Sequence, residues 1–133
     1  MIPPFDDRGC LPPGIHTATL AEIDARFGRE SELRRVQMES VRWMVNLAIR
    51  AGVQRIVFNG SFVMDIMELN DVDCVLLVGR GFPSDAAAEA ELNAGLPFLE
   101  MKLVRQSEFD LYLNVIFGTD RAGVAKGVVE VIP

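Results

Sequence analysis

The sequence predicts an α/β (α+β) fold in which a small mixed β-sheet is flanked by helices, with residues 1–133 forming a single domain. Two short, β-branched apolar runs bounded by turn residues, 55–58 and 72–78, indicate neighbouring strands. Helical apolar spacing over residues 31–52 indicates an amphipathic helix before them. With 133 residues and 50% hydrophobic content, the chain can bury one core without disulfides or a structural metal.

The elements before the first of these strands are predicted from prolines and caps. Four prolines in residues 1–16 fix φ and lack an amide donor, so this segment is expected to run as an extended arm across the surface. Thr19 and Glu22 form a capping box for a short helix that Gly28 ends. Ser31 caps the longer helix. Its predicted core residues are Leu33, Val36, Val41, Trp43, Met44, Leu47 and Ala48.

The elements after that strand follow from turn residues and apolar runs. Residues 62–67 are predicted to form a short helix or turn, and residues 79–83 a loop. Ser84 or Asp85 is expected to cap an alanine-rich helix ending at Gly95. A third strand is predicted over residues 98–104 and a last strand over 128–132. Residues 109–117 fit neither period, so helix and strand both stay open.

Composition limits the possible partners. A net charge of −6, from 19 acids and 13 bases, argues against non-specific nucleic-acid binding, although a metal-bridged nucleotide remains compatible with it. Cys10 and Cys74 match no zinc or redox spacing. Neither a membrane-length apolar run nor a basic segment leading an apolar one is present in the sequence. We therefore expect a reduced, cytoplasmic protein that is not exported and has no membrane partner.

An acidic pair opens the second apolar run, downstream of a Gly60-Ser61 turn. On a strand, alternation places Asp71 and Asp73 on one face, about 7 Å apart. Two such carboxylates repel each other and are desolvated together, which costs stability unless cations lie between them. This pattern predicts a Mg²⁺ (or Mn²⁺) site. As alternatives, Asp71 could belong to a turn, Gly60 could be needed only because the backbone there has a positive φ, and Ser61 could be a helix N-cap.

This constellation resembles the signature of the nucleotidyltransferase superfamily, in which a hydrophobic-Gly-Ser turn precedes an acid-hydrophobic-acid strand. The wider chain resembles a family of small bacterial nucleotidyltransferase-like proteins. That second resemblance rests on residues 11–16, residues 60–63, and residues 120–123 with 126–129. Together these blocks extend over nearly the whole chain.

The resemblance implies Mg²⁺-dependent transfer of a nucleoside monophosphate from a nucleoside triphosphate to a hydroxyl on a protein, an RNA end or a small molecule. Asp71 and Asp73 would be catalytic metal ligands, and Gly60 and Ser61 would contact the phosphates. A third carboxylate is expected on a neighbouring strand. Glu100 and Asp110 are the candidates, and Glu100 is favoured.

One departure from the resembling family concerns a cation. Its members carry a small hydroxyl residue and then Asp-Lys-Pro after the Gly-Ser block, whereas this chain has methionine, aspartate, isoleucine and methionine at residues 64–67. Arg80, Lys102 and Lys126 are candidate substitutes for the missing lysine. The departure favours an alternative in which the chain is an inactive binding or regulatory module, such as one half of a toxin–antitoxin pair. A purely structural partner-binding domain is a third hypothesis, and a homo-oligomer or a cognate partner protein could complete the site.

Overall fold

In the computed structural model, which describes residues 1–65, 71–95, 97–116, 123 and 125–132, strands form a single mixed sheet. In chain order these are β1 (Gly14–Thr19), β2 (Arg55–Asn59), β3 (Val72–Leu77), β4 (Leu99–Val104) and β5 (Gly127–Ile132). Across the sheet their order is β1-β5-β2-β3-β4. The β2 strand runs antiparallel to β3 and β5, whereas the β1–β5 and β3–β4 pairs are parallel. The predicted mixed sheet and its central strand pair are confirmed.

The structure describes four α-helices, and the first three in chain order begin where the sequence places their caps. They are α1 (Leu20–Phe27), α2 (Glu32–Ala51), α3 (Ala86–Asn93) and α4 (Gln106–Leu111). Thr19 and Glu22 form the capping box of α1, and the Ser31 side chain caps α2. Asp85, rather than Ser84, accepts hydrogen bonds from the first turn of α3, which ends with Ala94 as its C-cap and not at Gly95. No helix in the described ranges is both long and apolar enough to cross a membrane.

The sheet is covered on its two faces by different elements. Helices α1, α2 and α3 bury the larger cluster against one face, where Val72, Cys74 and Leu76 of β3 point. A smaller cluster lies on the opposite face, and we call that side of the sheet the second face. The smaller cluster consists of Val57, Val75, Leu77, Val104, Phe109 and Val128, with Tyr112 and Leu113 packed against it. Strand alternation therefore directs Asp73, which lies between Val72 and Cys74, onto the second face.

Two predictions about the first half of the chain are wrong. Residues 14–16 belong to β1 rather than to an extended arm, and the arm buries Cys10 and Leu11 instead of lying wholly on the surface. On α2, three predicted core residues are exposed, to 38%, 42% and 51%: Leu33, Val36 and Trp43. The buried stripe of α2 runs through positions 34, 37, 38, 41, 44, 45, 47, 48 and 51, so these three lie outside it. Val41, Met44, Leu47 and Ala48 are buried as predicted.

Two segments that the sequence does not assign to one regular structure, residues 62–67 and 109–117, are helical where the structure describes them. A 3₁₀ turn spans Ser61–Val63, and residues 66–67 of that prediction lie outside the described residues. Residues 109–116 belong to α4 and to the π-helical turn Tyr112–Ile116 that follows it, so this segment is helical, and residue 117 lies outside the described residues. Helix α4 packs Phe109 against the sheet. Its ring is fully buried in the smaller cluster.

Candidate functional site

A row of three polar side chains crosses the sheet on its second face. In the β2–β3 pair Asn59 lies opposite Asp73, and in the β3–β4 pair Asp73 lies opposite Glu100. Directly opposed residues point to the same face, and neighbouring strands are about 4.8 Å apart. Pairing therefore brings Asp73 and Glu100 together although they come from different predicted strands.

The turn after β2 lies against this row. Gly60 directly follows Asn59 and has a φ of 80°, a conformation that L side chains rarely adopt. A Cβ atom at Gly60 would also overlap the Asp73 Oδ2 atom. Glycine is thus required twice at this position, once for its backbone conformation and once for the close approach of the Asp73 carboxylate. As predicted, the Gly60-Ser61 turn lies close to Asp73.

Two further charged residues flank the row. Asp71 is exposed and lies one residue before β3, and Lys126 is partly buried one residue before β5. The negative charge of Asp71 raises the pKa of Asp73, whereas the positive charge of Lys126 lowers it. Both residues are therefore close enough to act on the same carboxylate.

The electrostatics of Asp73 follow from this crowding. Its pKa is raised from 3.8 to about 6, first by burial, then by a hydrogen bond with the Glu100 side chain and by repulsion from Glu100 and Asp71. Two carboxyl groups can share a hydrogen bond only while one of them holds a proton. Near neutral pH the row carries more negative charge than its surroundings compensate, and a cation would relieve it.

The donor chemistry of the row suits Mg²⁺ or Mn²⁺. Carboxylate and amide oxygens are the ligands that these hard cations prefer. Asn59 supplies such an oxygen, because its Oδ1 atom is buried and has no hydrogen-bond partner among the described residues. Within the same residues, no group of three or more His, Cys, Asp or Glu side chains is arranged to hold a metal ion. The Asp73 and Glu100 side chains instead lie within hydrogen-bonding reach of each other, and a bound cation would replace that interaction.

Asp110, the other candidate for a third carboxylate, lies elsewhere. It is on α4, where its Oδ1 atom accepts a hydrogen bond from Gln106 Nε2 at 2.9 Å. The pKa of Arg55 is raised chiefly by its hydrogen bond with Glu130, and the negative charge of Asp110 adds to that rise. The structure thus brings Glu100, and not Asp110, beside Asp73.

The candidate cations differ in position. Arg80 lies three residues beyond Leu77, where β3 ends, and that end of the strand is four residues, or roughly 13 Å, from Asp73. Lys102 is exposed on β4 and lies two residues beyond Glu100, so it shares the second face. Lys126 already acts on Asp73. The two lysines, and not Arg80, are placed to meet an anionic ligand at the row.

Sequence reasoning missed one residue behind the turn. Arg34 of α2 is 3% exposed, and its guanidinium donates hydrogen bonds to the backbone oxygens of Ser61, Phe62 and Met64. Ser61 is itself buried. The signal was available, since position 34 falls on the same helical stripe as the buried residues 38, 41 and 45.

Fold and site together define a small α+β domain with an acidic, oxygen-rich site on one face of a mixed sheet, beside a glycine turn. The chain belongs to a family of unknown function (DUF6932), whose sequence profile matches residues 3–132. Searches among curated proteins and among solved structures found no match.

Proposed function

We propose that this protein is a metal-dependent nucleotidyltransferase, which transfers a nucleoside monophosphate from a nucleoside triphosphate to a hydroxyl acceptor. The acceptor is a protein, an RNA end or a small molecule. One observation carries the proposal: Asp73 contacts both Gly60 and Glu100, and the Asp71 charge acts on the same carboxylate. Three carboxylates beside a glycine turn suit a phosphate ligand that arrives with divalent cations.

Each residue of the site has a role in this proposal. Asp71 and Asp73 would hold Mg²⁺ or Mn²⁺, and Asn59 would add a neutral oxygen ligand. The bound metal would supply charge neutralisation for the triphosphate. The backbone of Gly60 and Ser61 would contact the phosphates beside the Asp73 carboxylate, which occupies the space that a side chain at Gly60 would fill.

The lysines would contact the same ligand from its two sides. Lys126 lies before β5 and Lys102 lies on β4, so β2 and β3, which carry Asn59 and Asp73, are between them. Ammonium groups are common phosphate ligands, acting as compact point charges. In this arrangement they compensate for the lysine that is missing from residues 64–67.

Glu100 is the proposed general base. Its carboxylate would accept the proton of the acceptor hydroxyl while that oxygen bonds to the α-phosphorus. The bond from the α-phosphorus to the bridging oxygen of the β-phosphate breaks, and pyrophosphate leaves with its electron pair. The Glu100 carboxylate must be free to receive that proton, so the bound cation would have to replace its interaction with Asp73.

The alternative is a module that binds a nucleotide without turnover, such as one half of a toxin–antitoxin pair. The observation that favours it is the sequence of residues 64–67, where the resembling family has its Asp-Lys-Pro. The two hypotheses differ in one measurable step. Both require nucleotide binding, and only the enzyme releases pyrophosphate.

The experiment combines the four nucleoside triphosphates with Mg²⁺ or Mn²⁺ and reads melting temperature and pyrophosphate release in the same samples. We expect at least one nucleotide to raise the melting temperature and to release pyrophosphate. Glu100→Gln should abolish the release while keeping part of the thermal shift. Asp110→Asn is the matched control and should leave both unchanged. A thermal shift without pyrophosphate supports the module, and no shift with any nucleotide contradicts both hypotheses.

A further inference from the structure

A buried arginine that the proposed reaction does not use lies directly behind the Gly60-Ser61 turn. Arg34 Nη1 donates to the carbonyl oxygens of Phe27 at 3.2 Å and Phe62 at 2.8 Å. Its Nη2 donates to those of Ser61 at 3.3 Å and Met64 at 2.7 Å. One guanidinium therefore ties the end of α1 to three parts of the turn segment.

The surroundings of this guanidinium make its placement costly. Arg34 is 3% exposed and stacks near the Phe62 ring, with 5.9 Å from its Cζ atom to the ring centroid. Burial is the largest influence on its pKa, which is lowered, while Glu30 and Asp65 act through their charge and raise it. Buried cations need polar partners, and here the carbonyl dipoles aimed at the guanidinium supply them. Those carbonyls are therefore held in one orientation.

The hydrogen bonds that close the turn itself are long. They run from Val63 N to Gly60 O and from Met64 N to Ser61 O, and both measure 3.2 Å. Because a trans peptide is planar, a carbonyl directed at Arg34 also sets the direction of the amide on the other side of its peptide bond. The orientation of the peptides after Gly60 thus depends on Arg34.

We propose that Arg34 is the positioning residue of the nucleotide site: it holds the Gly60-Ser61 turn in the conformation that lets the Asp73 carboxylate approach Gly60. This inference rests on the proposed function for its link to nucleotide binding. The hold on the turn itself can be tested without any ligand. Loss of Arg34 frees the turn, moves Gly60 from Asp73 and weakens binding of the triphosphate.

The ligand-free test compares two substitutions by backbone amide hydrogen exchange. Arg34→Met keeps length and removes the charge, and Arg34→Lys keeps the charge with fewer donors. We expect Arg34→Met to speed exchange at Val63 and Met64 by about tenfold more than at Val45, a buried α2 residue that reports global opening. Arg34→Lys should fall between wild type and Arg34→Met. If Arg34→Met does not fold, Arg34→Lys against wild type supplies the same comparison.

Arg26→Met is the matched control. Arg26 also donates to a backbone carbonyl, that of Ile2, and lies over the Phe5 and Phe27 rings, whereas none of the hydrogen bonds described for it reaches the turn. It should change exchange equally at Val63 and Val45. Equal changes at both sites in the Arg34 variants would overturn the positioning role.

The ligand test measures the dissociation constant of Mg²⁺·ATP, with GTP, CTP and UTP in parallel, at a temperature where every variant is folded. Arg34→Met should raise it about tenfold, and in Arg34→Ala, whose short side chain leaves the guanidinium site vacant, low-millimolar guanidinium chloride should recover part of the loss. A merely structural arginine would give no such recovery. If the wild-type protein binds no nucleotide, the proposed function fails, and the exchange experiment still decides whether Arg34 holds the turn.

Discussion

Replacing Asp73 with asparagine tests the crowding of the acidic row. The pKa of Asp73 is raised from 3.8 to about 6 by burial first and then by Glu100 and Asp71, so the folded state binds this proton more tightly than the unfolded state. The contribution of Asp73 to stability therefore falls as pH rises from about 4 to about 6. The asparagine side chain would carry no charge at either pH, and its amide can still donate to Glu100.

The size of the effect follows from the pKa difference. A difference of about 2 corresponds to about 3 kcal/mol, and partial exposure of the side chain reduces it by solvent screening. We expect Asp73→Asn to stabilise the metal-free protein by about 1–2 kcal/mol at pH 7 and by close to zero at pH 4.

The assay is urea unfolding in buffer containing EDTA, with wild type and variant compared at both pH values. Asp110→Asn, on α4, is the control and should show no such change between the two. A variant that is less stable than wild type at pH 7, or a difference that does not depend on pH, would refute the reasoning.

Two further predictions concern local packing. Gly60→Ala should lower the free energy of unfolding by about 1–3 kcal/mol, because the new Cβ atom would sit at a positive φ and overlap Asp73. Gly81→Ala is the control: its Cβ atom would meet no atom within 4 Å, so in the same urea titration it should stay within about 0.5 kcal/mol of wild type. Glu130→Gln should lower the free energy of unfolding by about 1 kcal/mol, since the Glu130 carboxylate accepts hydrogen bonds from Arg55 at 2.6 Å and 2.9 Å between β5 and β2. A loss that does not shrink in 1 M salt would contradict an electrostatic origin.

The parts of the fold that the sequence predicts well depend on local signals. Capping at Thr19 and Ser31, the strands beside Gly60, and the close approach of that glycine to Asp73 all follow from residues near each other in the chain. The parallel pairing that sets Glu100 opposite Asp73 does not, because register between distant strands depends on the whole sheet.

Burial on α2 shows the same limit. Apolar character and helical spacing predict Trp43 for the core, yet Trp43 is exposed and Arg34 is buried. Which side of a helix faces the sheet is fixed by its neighbours, and a charged side chain enters the interior only where carbonyl groups are available to bind it. Those carbonyls come from the turn after Gly60, which the sequence of α2 alone does not reveal.

The most direct test of the account is whether the acidic row binds a divalent cation. Mg²⁺ or Mn²⁺ that binds only the folded protein raises the melting temperature by mass action. We predict a concentration-dependent rise for wild type and none for the Asp71→Asn/Asp73→Asn double variant, with Glu100→Gln keeping part of it. Equal rises in wild type and the double variant would contradict the metal site, and with it the proposed nucleotidyl transfer.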